Sequence, residues 1–134
     1  MKNSTFITRT ILLSSIFLFT ILTCMGQNES SDQVVGTWIK SAGYGNTTLV
    51  FAADNKWEVK FTGGDEPDVW GTYKLSESKI TFTDEGGASS SGTSGIYEYK
   101  IAENSITFTK FDDPVDGRSM LVTGSWSKEG AGEK

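Results

Sequence analysis

The sequence predicts an all-β fold, an eight-stranded antiparallel up-and-down barrel, set behind an export segment. Three observations predict it. Apolar and polar residues alternate with period two throughout the mature chain, and no stretch of it carries a helical period. Turn-forming residues punctuate the alternation at short intervals, as one hairpin after another requires. A glycine followed two residues later by an aromatic recurs at Gly36-Thr-Trp38, Gly71-Thr-Tyr73, Gly95-Ile-Tyr97 and Gly124-Ser-Trp126. Glycine lets a strand bend or bulge while the aromatic two residues on packs over the gap, and a curled sheet of short strands removes its edges by closing.

Residues 1–26 read as an export signal. Lys2 and Arg9 give a positive start, and residues 11–22 are apolar apart from Ser14, Ser15 and Thr20. That run is shorter than the roughly 20 residues a bilayer span needs. Cys24, the only cysteine, sits where the run ends, and Ile21-Leu22-Thr23-Cys24 resembles a bacterial lipobox. Two processing routes fit: lipidation of Cys24, or cleavage after Gly26 that leaves Gln27 first. With one cysteine, no disulfide framework holds the domain. Residues 27–33 form a short polar linker, 34–128 the barrel, and 129–134 a disordered tail.

Within the barrel the alternation predicts strands over 34–40, 47–52, 56–62, 69–75, 79–83, 96–102, 105–109 and 118–127. Trp57, Val59 and Phe61 share one face of the third and Lys56, Glu58, Lys60 and Thr62 the other. One dry and one wet face marks an antiparallel sheet. Connections two, four and six are tight, at 53–55, 76–78 and 103–104, whereas one, three, five and seven are long, at 41–46, 63–68, 84–95 and 111–117. Alternate connections of a meander lie at one end, so the long loops form a mouth. The tight turns, the N-terminus and Trp126 form a floor.

Composition bounds the chemistry. The formal charge of −5 becomes −7 once the cations Lys2 and Arg9 leave, since all 17 acids lie downstream. Nucleic-acid binding, which needs clustered Lys and Arg, is not expected. There is no histidine, and no cysteine after Cys24, which excludes Ser-His-Asp and Cys-His nucleophiles and zinc sites of the His and Cys types. The glycines and serines of 86–95 lack the lysine and the helix context of a phosphate loop. No cofactor and no enzyme activity are expected. The acids Asp65, Glu66, Asp68, Asp84, Glu85, Asp112, Asp113 and Asp116 fall beside the mouth loops. Oxygen ligands there suit a hard cation, but their spacing fits no established calcium loop. They read as solvated acids, with no metal.

The predicted interior comprises Trp38, Leu49, Phe51, Trp57, Val59, Phe61, Tyr73, Leu75, Phe82, Tyr97, Tyr99, Ile101, Phe108, Met120, Val122 and Trp126, with Ile80 also facing in. An eight-stranded barrel is just wide enough to be filled by side chains or to hold one small ligand. Both readings stand. For a ligand, the candidate contacts are Phe61, Val69, Tyr73, Phe82, Tyr97, Tyr99 and Met120. Trp70 points outward beside the mouth, a candidate contact for a protein partner together with the mouth loops.

Gly36-Thr-Trp38 opening the first strand resembles the Gly-x-Trp start of the lipocalins. Val34 to Lys128 is similar to the small lipocalin-like domains of exported Gram-negative (lipo)proteins. The shared features are Leu49-Val-Phe51 before an Asp-Asn turn, Gly-x-Tyr with Ile-Thr-Phe, and a terminal Gly-x-Trp-x-Lys. The resemblance implies a calyx for a small apolar ligand, with Trp38 closing its floor. Arg118, at the start of the last strand and hence at the mouth, leaves Lys128 as the basic residue near Trp38. The sequence thus points to a non-enzymatic binder of a small apolar or amphipathic molecule, periplasmic or anchored at the outer membrane, touching membrane only through an N-terminal lipid. The alternative is a filled barrel acting as an interaction or inhibitor module through its mouth loops.

Overall fold

The computed structural model describes residues 29–42 and 45–131; the expected export segment with Cys24 and the end of the expected tail lie outside the described residues. The chain runs α1 (Glu29–Val34), β1 (Gly36–Ala42), β2 (Gly45–Phe51), β3 (Lys56–Lys60), β4 (Val69–Ser76), β5 (Lys79–Gly86), β6 (Ser94–Ala102), β7 (Ser105–Asp112), α2 (Asp116–Val122) and β8 (Gly124–Lys128). Each strand pairs antiparallel with the next. β8 returns to β1 through Trp38↔Lys128 and Ile39↔Ser127, closing a barrel of eight strands. Most of the expected polar linker forms α1, whose last residue, Val34, is fully buried.

The glycine–aromatic repeat places each of its glycines opposite a large ring. The register sets Gly36 opposite Phe51, Gly71 opposite Trp57, Gly95 opposite Phe82 and Gly124 opposite Phe108. Directly paired residues share a face. The space each glycine leaves is used differently: a methyl at Gly71 would meet Thr83 O, one at Gly95 the Asp113 carboxylate, one at Gly36 only the Lys128 side chain, and one at Gly124 nothing within 4 Å. Those rings fill the centre: Phe51 meets Tyr73 at 5.0 Å, and Phe82 meets Trp57 at 5.1 Å and Tyr97 at 5.6 Å, all edge to face. Such pairs add about 0.5–1.5 kcal/mol each beyond the area they bury.

A second repeat closes the barrel. Val34-Val-Gly-Thr-Trp-Ile-Lys40 and Val122-Thr-Gly-Ser-Trp-Ser-Lys128 each begin on the last residue of a helix and run into β1 and β8. The Trp38 indole N–H donates to Val34 O at 2.8 Å, and that of Trp126 to Val122 O at 2.9 Å. Because β1 and β8 are antiparallel neighbours, the two units serve each other. Lys128 Nζ lies 5.5 Å above the Trp38 ring and Lys40 Nζ 4.7 Å above that of Trp126. Lys40 also donates to Leu121 O and, at 3.0 Å, to Thr123 O, tying down the end of α2; burial lowers the pKa of its amine.

Four expectations are corrected. The strand expected over 118–127 is α2 followed by the shorter β8. Arg118, Leu121 and Val122 occupy positions i, i+3 and i+4, one helical face, and it is this face that packs inward. Met120, two residues from either end of that face, turns outward and is 81% exposed instead of lining the interior. The first connection is a tight hairpin, because Ser41↔Asn46 and Ala42↔Gly45 are paired. Phe61 does not continue the inward row of β3, which ends at Lys60. Its amide and that of Thr62 donate to Asp68 Oδ2 at 2.7 and 3.0 Å, bending the chain so that Phe61 sits half-exposed on the rim.

Candidate functional site

Three connections gather at the end opposite the turns at 52–55, 77–78 and 103–104: the loops after β3 and β5, and the segment carrying α2. Beneath α2 lies a pocket of about 310 Å³. Trp57 and Val59 of β3, Phe61 beyond it and Val69 of β4 form one wall, and Val115, Leu121 and Val122 face them from the α2 side. Barrel geometry creates the space. The inward rows of β3 and β4 end in small valines near the mouth, whereas the aromatic rings crowd the centre.

The remaining wall is charged. Asp84 continues the inward phase of Ile80 and Phe82 along β5, and Arg118 comes from α2; both line the pocket. Arg118 grips Asp113 with a two-pronged fork, Nε to Oδ2 at 2.7 Å and Nη2 to Oδ1 at 2.8 Å. Its Nη1 donates to Thr93 O at 2.7 Å and Ser91 Oγ at 3.3 Å and lies 2.8 Å from Asp84 Oδ1. The Tyr97 hydroxyl donates to Asp113 Oδ2, and Val115 N–H to Oδ1 at 2.8 Å. The side chains of Arg118, Asp84 and Asp113 are 5%, 2% and 0% exposed. A methyl group at Gly95 would lie 2.2 Å from Asp113 Oδ2, so only glycine leaves room for the cluster.

The cluster fixes the protonation of its members. Burial alone would raise the Asp113 carboxyl, but the Arg118 guanidinium, the Tyr97 hydroxyl and the Val115 amide hold it below the usual carboxylate range. Burial, reinforced by Asp113, pushes the Tyr97 hydroxyl far above the usual phenol range. Burial would weaken the Arg118 proton, yet its two carboxylate partners outweigh that and raise it. Asp84 is served unevenly. Oδ2 accepts from Ser91 N at 3.0 Å and Ser91 Oγ at 2.7 Å. Oδ1 is buried and ion-paired with Arg118 Nη1 at 2.8 Å.

The expected ligand contacts therefore scatter. Phe61 and Val69 line the pocket. Phe82 lies in the filled centre, and Tyr97 is held in the charged cluster. The Tyr73 and Tyr99 hydroxyls donate to Ala52 O at 3.0 Å and Glu77 O at 3.3 Å, at the tight turns. Trp38 and Trp126, expected together at the floor, are both fully buried, but their indoles reach opposite ends, Trp38 to Val34 O of α1 and Trp126 to Val122 O of α2. Asp84 and Asp113, expected as solvated rim acids, are buried partners of Arg118. Among the described residues no group of acids is arranged to hold a metal ion. The large apolar side chains exposed there, Phe61, Trp70, Phe111 and Met120, all lie toward the mouth. In comparisons with known proteins, no family model, curated protein or solved structure matches this chain.

Proposed function

We propose that the chain is an exported, non-enzymatic protein that binds one small apolar or amphipathic molecule in the mouth of its barrel. The observation that carries this reading is the apolar pocket of about 310 Å³ between α2 and the ends of β3 and β4. Its size falls at the lower end of the roughly 300–1,000 Å³ of small-molecule sites. The lipocalin-like resemblance of Gly36-Thr-Trp38 agrees with it, and Lys128 over Trp38 supplies the basic neighbour such a tryptophan takes. Export rests on residues 1–26, with the product tethered through Cys24 or free in the periplasm after cleavage at Gly26. A tether would leave the barrel beside α1, at the floor, and turn the mouth away from the membrane.

The test uses a neutral fluorescent probe, N-phenyl-1-naphthylamine, titrated against tryptophan emission. Stoichiometric binding that quenches Trp57 is expected. Leu121→Glu, which sets a charge into the wall, should weaken it at least about tenfold, whereas Met120→Glu on the outer face should not. Absence of binding by chemically varied probes to folded protein would overturn the reading. It would leave the rival favoured by Phe61, Trp70, Phe111 and Met120 around the mouth, a protein-interaction or inhibitor module.

A further inference from the structure

The mouth pocket ends early. Phe51, Phe82 and Phe108, from β2, β5 and β7, stand with ring centroids 5.7, 6.2 and 5.8 Å apart and close the barrel axis between them. Trp57 packs edge to face on Phe82 at 5.1 Å and also lines the pocket, so it forms the bottom of the pocket above that plug. The cavity is a shallow cup of about 310 Å³ over a filled barrel, not a channel down its axis. Its polar groups are spent on the protein itself. All three guanidinium nitrogens of Arg118 donate, to Asp113, Thr93 O and Ser91 Oγ. Asp84 Oδ1 is buried against Arg118 Nη1 at 2.8 Å, and Oδ2 accepts from Ser91 N–H and Ser91 Oγ. The Trp57 indole N–H donates to Thr83 O at 3.4 Å. Ser89, the remaining polar side chain on the lining, is exposed at the rim.

We infer that the ligand of this pocket is a compact, uncharged molecule of about ten to twelve carbon atoms, roughly two rings in size, and that charged groups and long acyl chains are turned away. The inference rests on the pocket being a binding site and adds size, shape and charge to it. Size follows from the volume: an apolar cavity of about 150 Å³ holds one benzene, and this one is about twice as large. Shape follows from the plug. Whatever part of a chain exceeds the cup stays in water, because the rings below leave it no path down the axis. Charge follows from the wall. An ionic group of either sign set inside loses its water and finds no free partner, since Asp84 and Arg118 already serve each other. The apolar body lies against Val59, Val69 and Leu121, with the Trp57 ring beneath it.

The experiment compares naphthalene, 2-naphthoate and 2-naphthylmethylammonium, which share one two-ring body, by calorimetric titration of the full mature protein at neutral pH. Naphthalene is expected to bind one to one, and each ion at least about tenfold more weakly. A second series reads the plug: 1-hexanol, 1-octanol, 1-decanol, 1-dodecanol and 1-tetradecanol, with protein titrated into ligand because the longer alcohols are sparingly soluble. Affinity should rise by up to about fourfold for each added CH₂ while the chain is still entering the cup, then level off between 1-decanol and 1-dodecanol. Val69→Trp, which sets an indole into the cup, should lower naphthalene binding at least about tenfold, with folding checked by circular dichroism. The alcohol series reads the same cup in the unaltered protein even where that variant fails to fold. Either ion binding within about threefold of naphthalene overturns the exclusion of charge, and a rise that continues through 1-tetradecanol overturns the closed bottom. Both of those leave the pocket itself standing. Binding of none of these molecules, or naphthalene binding unchanged in folded Val69→Trp, overturns the pocket reading and this inference with it.

Discussion

Arg118→Met removes the only cation from between two buried carboxylates while keeping most of the side chain's apolar length. The loss follows from what remains. Asp113 and Asp84, 0% and 2% exposed, lose their counter-ion, and Thr93 O loses its donor. Breaking a buried pair from one side costs about 3–5 kcal/mol. Against the roughly 5–15 kcal/mol that stabilises a domain, that is about a fifth or more of the total, and at about 4 °C per kcal/mol it lowers Tm by about 12 °C or more. The pH dependence separates this from simple loss of packing. In the native protein Asp113 is held below the usual carboxylate range, so its contribution is present above the unfolded value and is lost as pH falls through the depressed one. Without the guanidinium, burial dominates at Asp113, and folding favours the protonated form instead. Wild type therefore weakens toward acid while the variant recovers relative to it, and the gap closes. Urea unfolding followed by tryptophan emission, near neutral pH and again at about pH 4, measures both stabilities. A variant within about 1 kcal/mol of wild type at neutral pH would refute the reasoning, and so would a gap that does not move with pH. Arg118→Lys, which keeps the charge but not the fork, should fall between.

Trp38→Ala and Phe82→Ala should each cost about 3–5 kcal/mol in urea unfolding, whereas Thr81→Ala, on the outer face of β5, should cost under about 1 kcal/mol; equal effects at 81 and 82 would mean a wrong register. Gly95→Ala should lower the urea midpoint, because its methyl would lie 2.2 Å from Asp113 Oδ2. Gly117→Ala, in α2 with nothing within 4 Å of its methyl, should raise stability by about 0.5–1 kcal/mol. Cys24→Ala should shift the exported protein from the membrane to the soluble fraction on cell fractionation. An N-terminus at Gln27 in protein from its own host would refute lipidation.

The barrel was legible because period-two alternation survives in short windows. Trp57 with Val59, Ile80 with Phe82 and Ile106 with Phe108 each assign a face with two residues, and all six are buried. Connection lengths then separated mouth from floor, although the first connection proved tight. Helix α2 was not legible for the converse reason. Seven residues make two turns, too few for a 3.6-residue period to stand out, and Met120 and Val122 happen to alternate as a strand would. The reciprocal Trp–Lys pairs were written twice as Val-x-Gly-x-Trp-x-Lys. Their meaning depends on β1 and β8 being neighbours, which only closure of the barrel makes true.

The charged wall was the least legible part, because patterns built on hydrophobicity count every acid as solvated. Two signals nevertheless pointed to it. Asp84 falls in phase with Ile80 and Phe82, so the alternation that buried those residues also turned the carboxylate inward. After residue 26 Arg118 is the only arginine, every other cation being lysine. A rigid fork among flexible point charges is what a buried carboxylate calls for. Stability alone does not require such a cluster, since a well-packed apolar group of the same volume serves a core at least as well. A filled barrel would close its mouth with leucine or phenylalanine at those positions. Here Asp84 and Arg118 stand instead on the lining of a cavity, paired at 2.8 Å.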